Sequence, residues 1–323
     1  MSMNKVVSLL KNSESLLLVT HKDPDPDGIC SMLALGRSLF DAKKNVVCLA
    51  EEAISAPLTL LKGTDRIVRH IGEGDKFDTV VALDCAATER LGASRKELTG
   101  HGPLINIDHH VTNDFFGDLN FVETASSSTG ELIYRLIIAA GLPLGFDTAE
   151  NIFTAIQMDT GSFSYENTTP ECLKIAGEML TYGIRPWELY RKLTEEYTPA
   201  EVRLLGMGLK SIEYHHNGKI AIMTLSLAMF RQVGGTQVDS EKFVAYPRMI
   251  LGIEVAVLIR EREKNKYKVS LRSNGKTDMA RLASRFGGGG HSKAAGFDYQ
   301  GSISGLKESF LLEAVGILSD ALD

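Results

Sequence analysis

The chain of 323 residues has only four cysteines, Cys30, Cys48, Cys85 and Cys172, and no two of them form a CxxC pair. Their wide spacing argues against a disulfide framework and suits reduced thiols in a cytoplasmic protein. No apolar run approaches the ~20 residues of a membrane span, and the N-terminus has no apolar signal segment. A membrane role is therefore not expected. Low-complexity stretches and internal repeats are also missing, which predicts a folded globular chain throughout. Basic residues are not in excess: 35 Lys and Arg stand against 41 Asp and Glu, a net charge of −6. That balance argues against a broad cationic surface for long duplex nucleic acid. It leaves room for a local basic pocket around a small phosphorylated ligand.

At this length two domains are the expectation. In the first half, apolar runs at 16–20, 46–49, 79–83 and 104–107 alternate with helical patterns. This predicts a mostly parallel α/β sheet with helices on its faces. Ser128 with Glu131 reads as a capping box before a helix, and Asp147 with Glu150 reads the same way. The second of these helices puts Asp159 at or just past its C-terminus. Thr169-Pro170 starts another helix, with Gly183 as its stop. A polar helical connector then leads into a second half with strands at 220–225, 253–260 and 266–272. The reading is a first domain over residues 1–185, a connector over 186–200 and a smaller α/β domain over 201–323. The active site is expected in the cleft between the domains.

Four segments carry metal-ligand chemistry, each following an apolar run. They are His21, Asp25 and Asp27 in HKDPDPDG; Asp84 in VVALDCA; Asp108, His109 and His110 in INIDHHV; and Asp159 in AIQMDTGSF. Ligands leaving several element ends converge at one edge of an open α/β sheet. Asp and His without Cys suit Mn²⁺ or Mg²⁺ better than structural zinc. So many carboxylates imply two divalent ions. At ~3.5–4 Å apart, such ions share a bridging hydroxide that attacks phosphorus in line. The i, i+2 spacing of Asp25 and Asp27 puts both on one side of an extended turn, which Pro24 and Pro26 stiffen. Taken singly, Asp84 suits a helix N-cap as well as a ligand, and Asp159 suits a plain turn.

Gly288, Gly289, Gly290 and His291 end a run of four glycines that permits close approach to an anion. The residues after it are read as opening a helix whose N-terminus adds positive potential. Arg272, at the end of KYKVSLRS, is the natural clamp for a terminal phosphate. Phe163, Tyr165, Tyr246 and Phe286 are candidate base-stacking platforms. His215 and His216 read as exposed in a hairpin turn, and His70 and His101 as bystanders.

HKDPDPD, LDCA, IDHH and MDTGSF, in this order and spacing, resemble the four motifs of the DHH phosphoesterase superfamily. GGGGHSKAAGF at 287–297 resembles the signature of its DHHA1 domain, so the likeness spans the whole chain. FSYENTTPE at 163–171 and the segment 269–291 are most similar to the nanoRNase–pAp phosphatase branch. The resemblance implies that His21, Asp25 and Asp84 hold one ion, Mn²⁺ before Mg²⁺. Asp27, Asp84, His109 and Asp159 would hold the second. It further implies that Asp108 orients a ligand histidine through its other ring nitrogen, and that His110 contacts phosphate or leaving group. It implies hydrolysis of short oligoribonucleotides to 5′-mononucleotides and of pAp to AMP. A cyclic-dinucleotide phosphodiesterase acting on c-di-AMP or pApA is the alternative. Polyphosphate or pyrophosphate hydrolysis and an inactive nucleotide-binding module rank below it, and a homodimer is compatible. Lys22-Asp23 and Pro26 depart from the turn common in the superfamily at positions that are not ligands.

Overall fold

The computed structural model describes residues 3–22, 24–51, 54, 58–72, 74–195, 197–235, 238, 240–290 and 292–320. The chain forms two compact units, Met1–Glu196 and Tyr197–Asp323.

The first unit begins α1 (Met3–Asn12), β1 (Ser15–Thr20), α2 (Pro26–Asp41), β2 (Asn45–Leu49), β3 (Ile67–Val68) and β4 (Thr79–Leu83). It continues with α3 (Ser94–Glu97), β5 (Leu104–Asp108), β6 (Leu119–Val122) and α4 (Thr129–Ala140). Three more helices close it: α5 (Phe146–Asp159), α6 (Pro170–Leu180) and α7 (Pro186–Tyr190). Six parallel strands lie in the order β3-β2-β1-β4-β5-β6. Strands β1 and β4 are unbroken apolar runs because both faces of the sheet are covered. Leu16, Leu18, Val81 and Leu83 pack into the larger core with Ile29, Leu33, Ile152 and Ile156. Their alternate neighbours Leu17, Val19, Val80 and Ala82 pack on the other face with Phe77 and Leu91.

Strand order reverses between β1 and β4, the switch point at which open α/β sheets hold ligands. The register pairs Thr20 with Leu83 and Leu83 with Ile107. The segments beginning at His21, Asp84 and Asp108 therefore leave the sheet side by side.

The second unit contains α8 (Pro199–Lys210), β7 (Glu213–His215), β8 (Ile220–Leu225), α9 (Leu227–Gln232), α10 (Ala245–Arg248) and β9 (Val255–Glu263). After these come β10 (Lys266–Ser273), α11 (Met279–Ser284), β11 (Gly289–Gly290), β12 (Ala294–Gln300) and α12 (Ile303–Asp320). Its mixed sheet has the order β11-β12-β10-β9-β8-β7, in which β8 and β9 run parallel. Val257, Val269, Leu271, Phe297 and Phe310 form the heart of its core.

Local structure departs from the sequence reading in four places. Asp25 and Asp27 do not share an extended turn: Asp25 caps α2, accepting from the Gly28 N–H at 3.0 Å, and Asp27 lies in the first turn. Pro26 at the first helical position supplies a helical φ and needs no donor there. Asp147 does not cap α5. The cap is Gly145, and the Asp147 carboxylate instead meets Arg37 at 2.8 Å. Ser128 does cap α4, but the Glu131 carboxylate turns to the N–H and hydroxyl of Ser127, at 3.0 and 2.8 Å, rather than back to the cap. Among the described residues no helix opens directly after the glycine run; strand β12 comes next. Gly289 and Gly290 pair with Gly296 and Ala295 of β12 in a tight antiparallel ladder. A Cβ on Gly288 would lie 2.2 Å from the Gly296 carbonyl oxygen, and Gly290 has φ +142°. Close backbone approach is what those two positions require of glycine.

Candidate metal centre

Two groups of side chains collect beyond the ends of β1, β4 and β5. His21, Asp25 and Asp84 place one donor atom each within 4.8 Å of one another, and Asp27, His109 and Asp159 do the same. His21 Nε2 lies 3.7 Å from both Asp25 Oδ1 and Asp84 Oδ2. His109 Nε2 lies 3.8 Å from Asp27 Oδ2, 3.7 Å from Asp84 Oδ1 and 3.6 Å from Asp159 Oδ2. Asp84 turns one oxygen toward each group and stands between them.

Backbone geometry aims these side chains. Asp84 is 1 % exposed and has φ +57°, a left-handed conformation rare outside glycine. It holds its place because its N–H donates to the Ile107 carbonyl at 3.0 Å and Oδ1 accepts from the Thr129 hydroxyl at 2.9 Å. Carbonyls select the histidine tautomers. Lys22 accepts from His21 Nδ1 at 2.7 Å and Ser126 from His109 Nδ1 at 3.3 Å, so each Nε2 is the nitrogen left to face the carboxylates. Arg90 Nη2 lies 3.0 Å from the same His21 nitrogen. Asp159, the last residue of α5, is bracketed by Asn167, whose amide donates to the Asp159 carbonyl at 3.2 Å and to Oδ2 at 3.3 Å.

A third group, Asp84, His109 and His110, also falls within 4.8 Å. Hydrogen bonding removes His110 Nδ1 from it, because that nitrogen donates to Asp108 Oδ1 at 2.5 Å. Asp108 is fully buried, and its other oxygen takes the Asn113 amide at 2.6 Å. Asp108 therefore grips His110, not the ring of a ligand histidine as the resemblance implied, because the Lys22 and Ser126 carbonyls already take the Nδ1 of His21 and His109. Thr129, Asn113, Asn167 and Arg90 escaped the sequence reading. The nearest signal was polar residues beside ligand motifs, as in DHHVTN and DTGSFSYEN.

The electrostatics of the cluster call for cations. Burial, together with the charges of Asp84, Asp159 and Asp25, drives the Asp27 carboxyl well above the usual carboxylate range. Burial pushes Asp159 up to about 7, although His109 pulls the other way. For His21, burial opposes the charged form, yet Asp25 and Asp84 outweigh it and raise the imidazole to about 10. Asp84 and Asp25 differ: burial raises both, but His21, His110 and His109 hold Asp84 well below the ordinary range, and His21 with the Gly28 N–H holds Asp25 below it. Without a divalent ion the cluster takes up protons. The Thr20 hydroxyl beside it is buried with no protein partner. Asp and His oxygen and nitrogen donors of this kind fit hard or borderline divalent ions.

In the second unit, Arg272 pairs with Ala294 across β10 and β12, and Gly290 pairs with Ala295 across β12 and β11. Arg272 and the glycine ladder thus share one end of that sheet, two strands apart, or roughly 10 Å. His291 lies outside the described residues. Of the aromatic candidates, Phe286 stacks on Phe297 at 4.5 Å and Phe163 packs edge-on to Phe153, so both belong to cores. Tyr246 meets the Tyr197 hydroxyl at 3.1 Å, while Tyr165 is 45 % exposed. His70 pairs with Glu97 at 2.9 Å, and His101 stacks edge-on against Phe77. His215 and His216 are half-buried in their hairpin rather than exposed.

Fold and cluster together define a two-unit α/β protein whose donor set suits divalent metal ions. Residues 15–158 match the DHH family N-terminal domain and residues 217–316 match the DHHA1 domain. A Thermus thermophilus protein, "Bifunctional oligoribonuclease and PAP phosphatase NrnA", is 34% identical over 97% of this chain and 93% of its own. A Bacillus subtilis protein of the same name is 31% identical over 88% of each. The structure of an exopolyphosphatase-related protein from Bacteroides fragilis has a TM-score of 0.88 at 29% identity, covering 99% of this chain and 95% of that one. The chain belongs to the DHH–DHHA1 phosphoesterase family.

Proposed function

We propose that this protein hydrolyses short oligoribonucleotides to 5′-mononucleotides and removes the 3′-phosphate of pAp. The observation that carries the reading is the pair of ligand groups with Asp84 between them, within a chain that aligns over 97% and 88% of its length with two relatives named for these activities. His21, Asp25 and Asp84 would hold one ion, and Asp27, Asp84, His109 and Asp159 the other, with Mn²⁺ as the preferred metal. Bound there, the two ions supply Lewis-acid activation of water and neutralise charge on phosphorus.

The chain's own residues supply the rest. Asp27 and Asp159, if they hold an ion, would give up the protons they carry in the metal-free state. His110, oriented by Asp108, stands beside this cluster to stabilise the phosphoryl oxygens and the departing alkoxide. Arg272, with the glycine ladder and His291, takes the terminal phosphate of the substrate. A single local anion patch favours short strands over long ones, and the net charge of −6 disfavours long duplex nucleic acid. The four buried, unpaired cysteines suit work in the cytoplasm, and no helix among the described residues is long and apolar enough to cross a membrane.

The test compares Mn²⁺-dependent hydrolysis of pApA, a five-nucleotide RNA, pAp, c-di-AMP and polyphosphate by wild type and Asp84→Ala. Cleavage of pApA, the pentamer and pAp, lost in the variant, supports the proposal. Cleavage of c-di-AMP as fast as pApA would move the protein to cyclic-dinucleotide turnover. A preference for polyphosphate, to which the name of the Bacteroides relative points, would replace the RNA reading.

A further inference from the structure

We infer that Asn113 is a positioning residue for the reaction, acting through Asp108 on His110; this rests on the reading that His110 works at the phosphoryl group. Asn106 and Asp108 lie two apart on β5 and so project to the same face. Asn113, on the turn that follows, closes over both. Its amide nitrogen lies 2.6 Å from Asp108 Oδ2, 2.8 Å from Asn106 Oδ1 and 3.2 Å from the Cys85 carbonyl, and its oxygen accepts from the Phe115 N–H at 2.7 Å. Asn106 donates to the same Cys85 carbonyl at 3.0 Å. The two amides therefore tie the Asp84–Cys85 segment to the segment carrying Asp108, His109 and His110.

The consequence falls on Asp108. Its Oδ1 takes the His109 N–H at 2.8 Å and the His110 Nδ1–H at 2.5 Å, while its Oδ2 is held by Asn113. One rotation of the carboxylate satisfies all three donors. With no free oxygen, Asp108 serves as an anchor and not as a metal ligand. Removal of the Asn113 amide leaves an anionic oxygen in a dry interior, which costs far more than a neutral lost bond. The carboxylate is then free to swing, and His110 loses its fixed orientation and aim. Outer residues that orient an active group in this way are worth about 10–100-fold in activity.

The test uses Asn113→Leu, which keeps the branched shape and removes every side-chain polar contact, with Asn113→Ala in its place if that variant does not fold. In metal-free protein labelled with ¹⁵N-histidine, wild type should show a strongly downfield Nδ1–H proton from His110, set apart from the Nδ1–H of His21 and His109 by its short bond to a carboxylate rather than a carbonyl. His110→Gln identifies that signal by deleting it. The Asn113 variant should lose it, while Mn²⁺ affinity stays within about threefold and kcat on pApA falls about 10–100-fold with little change in KM. A folded variant that keeps the signal, or keeps kcat, overturns the inference. The spectroscopic arm needs no substrate, so it decides the role of Asn113 even if the substrate assignment fails.

Discussion

The Asp27 carboxylate accepts a 2.7 Å hydrogen bond from the Thr129 N–H, and its second oxygen accepts from the Gly130 N–H at 3.0 Å. A buried acid at the start of α2 is thereby seated on the positive N-terminus of α4. Ser31 adds a third donor at 3.0 Å. This seat orients Asp27 without neutralising it, and the remaining charge is left for a cation. The arrangement favours metal binding at the expense of the empty fold.

Asp159 should show that trade most cleanly, because it is the least buried acid of the second ligand group. Asp159→Asn removes like-charge repulsion while keeping the side-chain shape. The metal-free variant should melt at the wild-type temperature or slightly above it. The rise in Tm on adding Mn²⁺ should shrink sharply, and kcat should fall by about 100-fold or more, as losses of essential metal-site groups do. Thermal melts with and without Mn²⁺ check both signs.

The pH dependence has a definite direction. Asp159, at about 7, and Asp27, well above its ordinary value, bind protons in the folded state that the unfolded chain releases near pH 4. His21, at about 10, likewise holds a proton that the unfolded chain loses near its ordinary 6.5. Folded protein that binds more protons loses stability as pH rises. The metal-free Tm should therefore fall from pH 5 to 8. Asp84, held well below the usual range, titrates below that window. Mn²⁺ must displace the same protons, so its affinity should rise with pH over this range. Calorimetry in buffers of different ionisation enthalpy should record proton release on binding.

The glycine run makes unequal demands on its members. A Cβ on Gly289 would meet nothing within 4 Å, whereas one on Gly288 would strike the Gly296 carbonyl and Phe297. Gly289→Ala should fold normally, and Gly288→Ala should destabilise the second unit by about 1–3 kcal/mol, the range for forced overpacking. Denaturant melts of both variants separate the two.

Arg272 should act on binding rather than on chemistry. Arg272→Ala should raise KM for pApA by about tenfold or more and leave kcat nearly unchanged, the pattern of lost uniform binding. Arg272→Lys should restore only part of it, since a lysine cannot make the two parallel bonds of a guanidinium. Steady-state kinetics on 5′-phosphorylated and 5′-hydroxyl dinucleotides check whether the phosphate is what is held.

Much of this was legible because the signals were local. Apolar runs of period one marked β1, β2, β4 and β5, and the acids that followed them marked the sheet edge. The rest depended on partners distant in sequence. Asp147 reads as a cap until Arg37, far upstream, claims it. The run 287–290 reads as a loop nest until Gly296 and Phe297 show how close the next strand must come. Asp108 could face either histidine until the Ser126 carbonyl takes the ring of His109. The left-handed backbone of Asp84 has no sequence signature: aspartate tolerates it better than most residues, but the Ile107 carbonyl and the Thr129 hydroxyl that hold it are distant in sequence.

The most direct test of the two-ion account is anomalous scattering from Mn²⁺-soaked crystals of wild type and Asp84→Ala. The account predicts two peaks in wild type roughly 3.5–4 Å apart, one against His21 and Asp25 and one against Asp27, His109 and Asp159. In the variant the pair should be depleted or split apart. A single peak in the active wild type, or two that ignore the loss of Asp84, would contradict it.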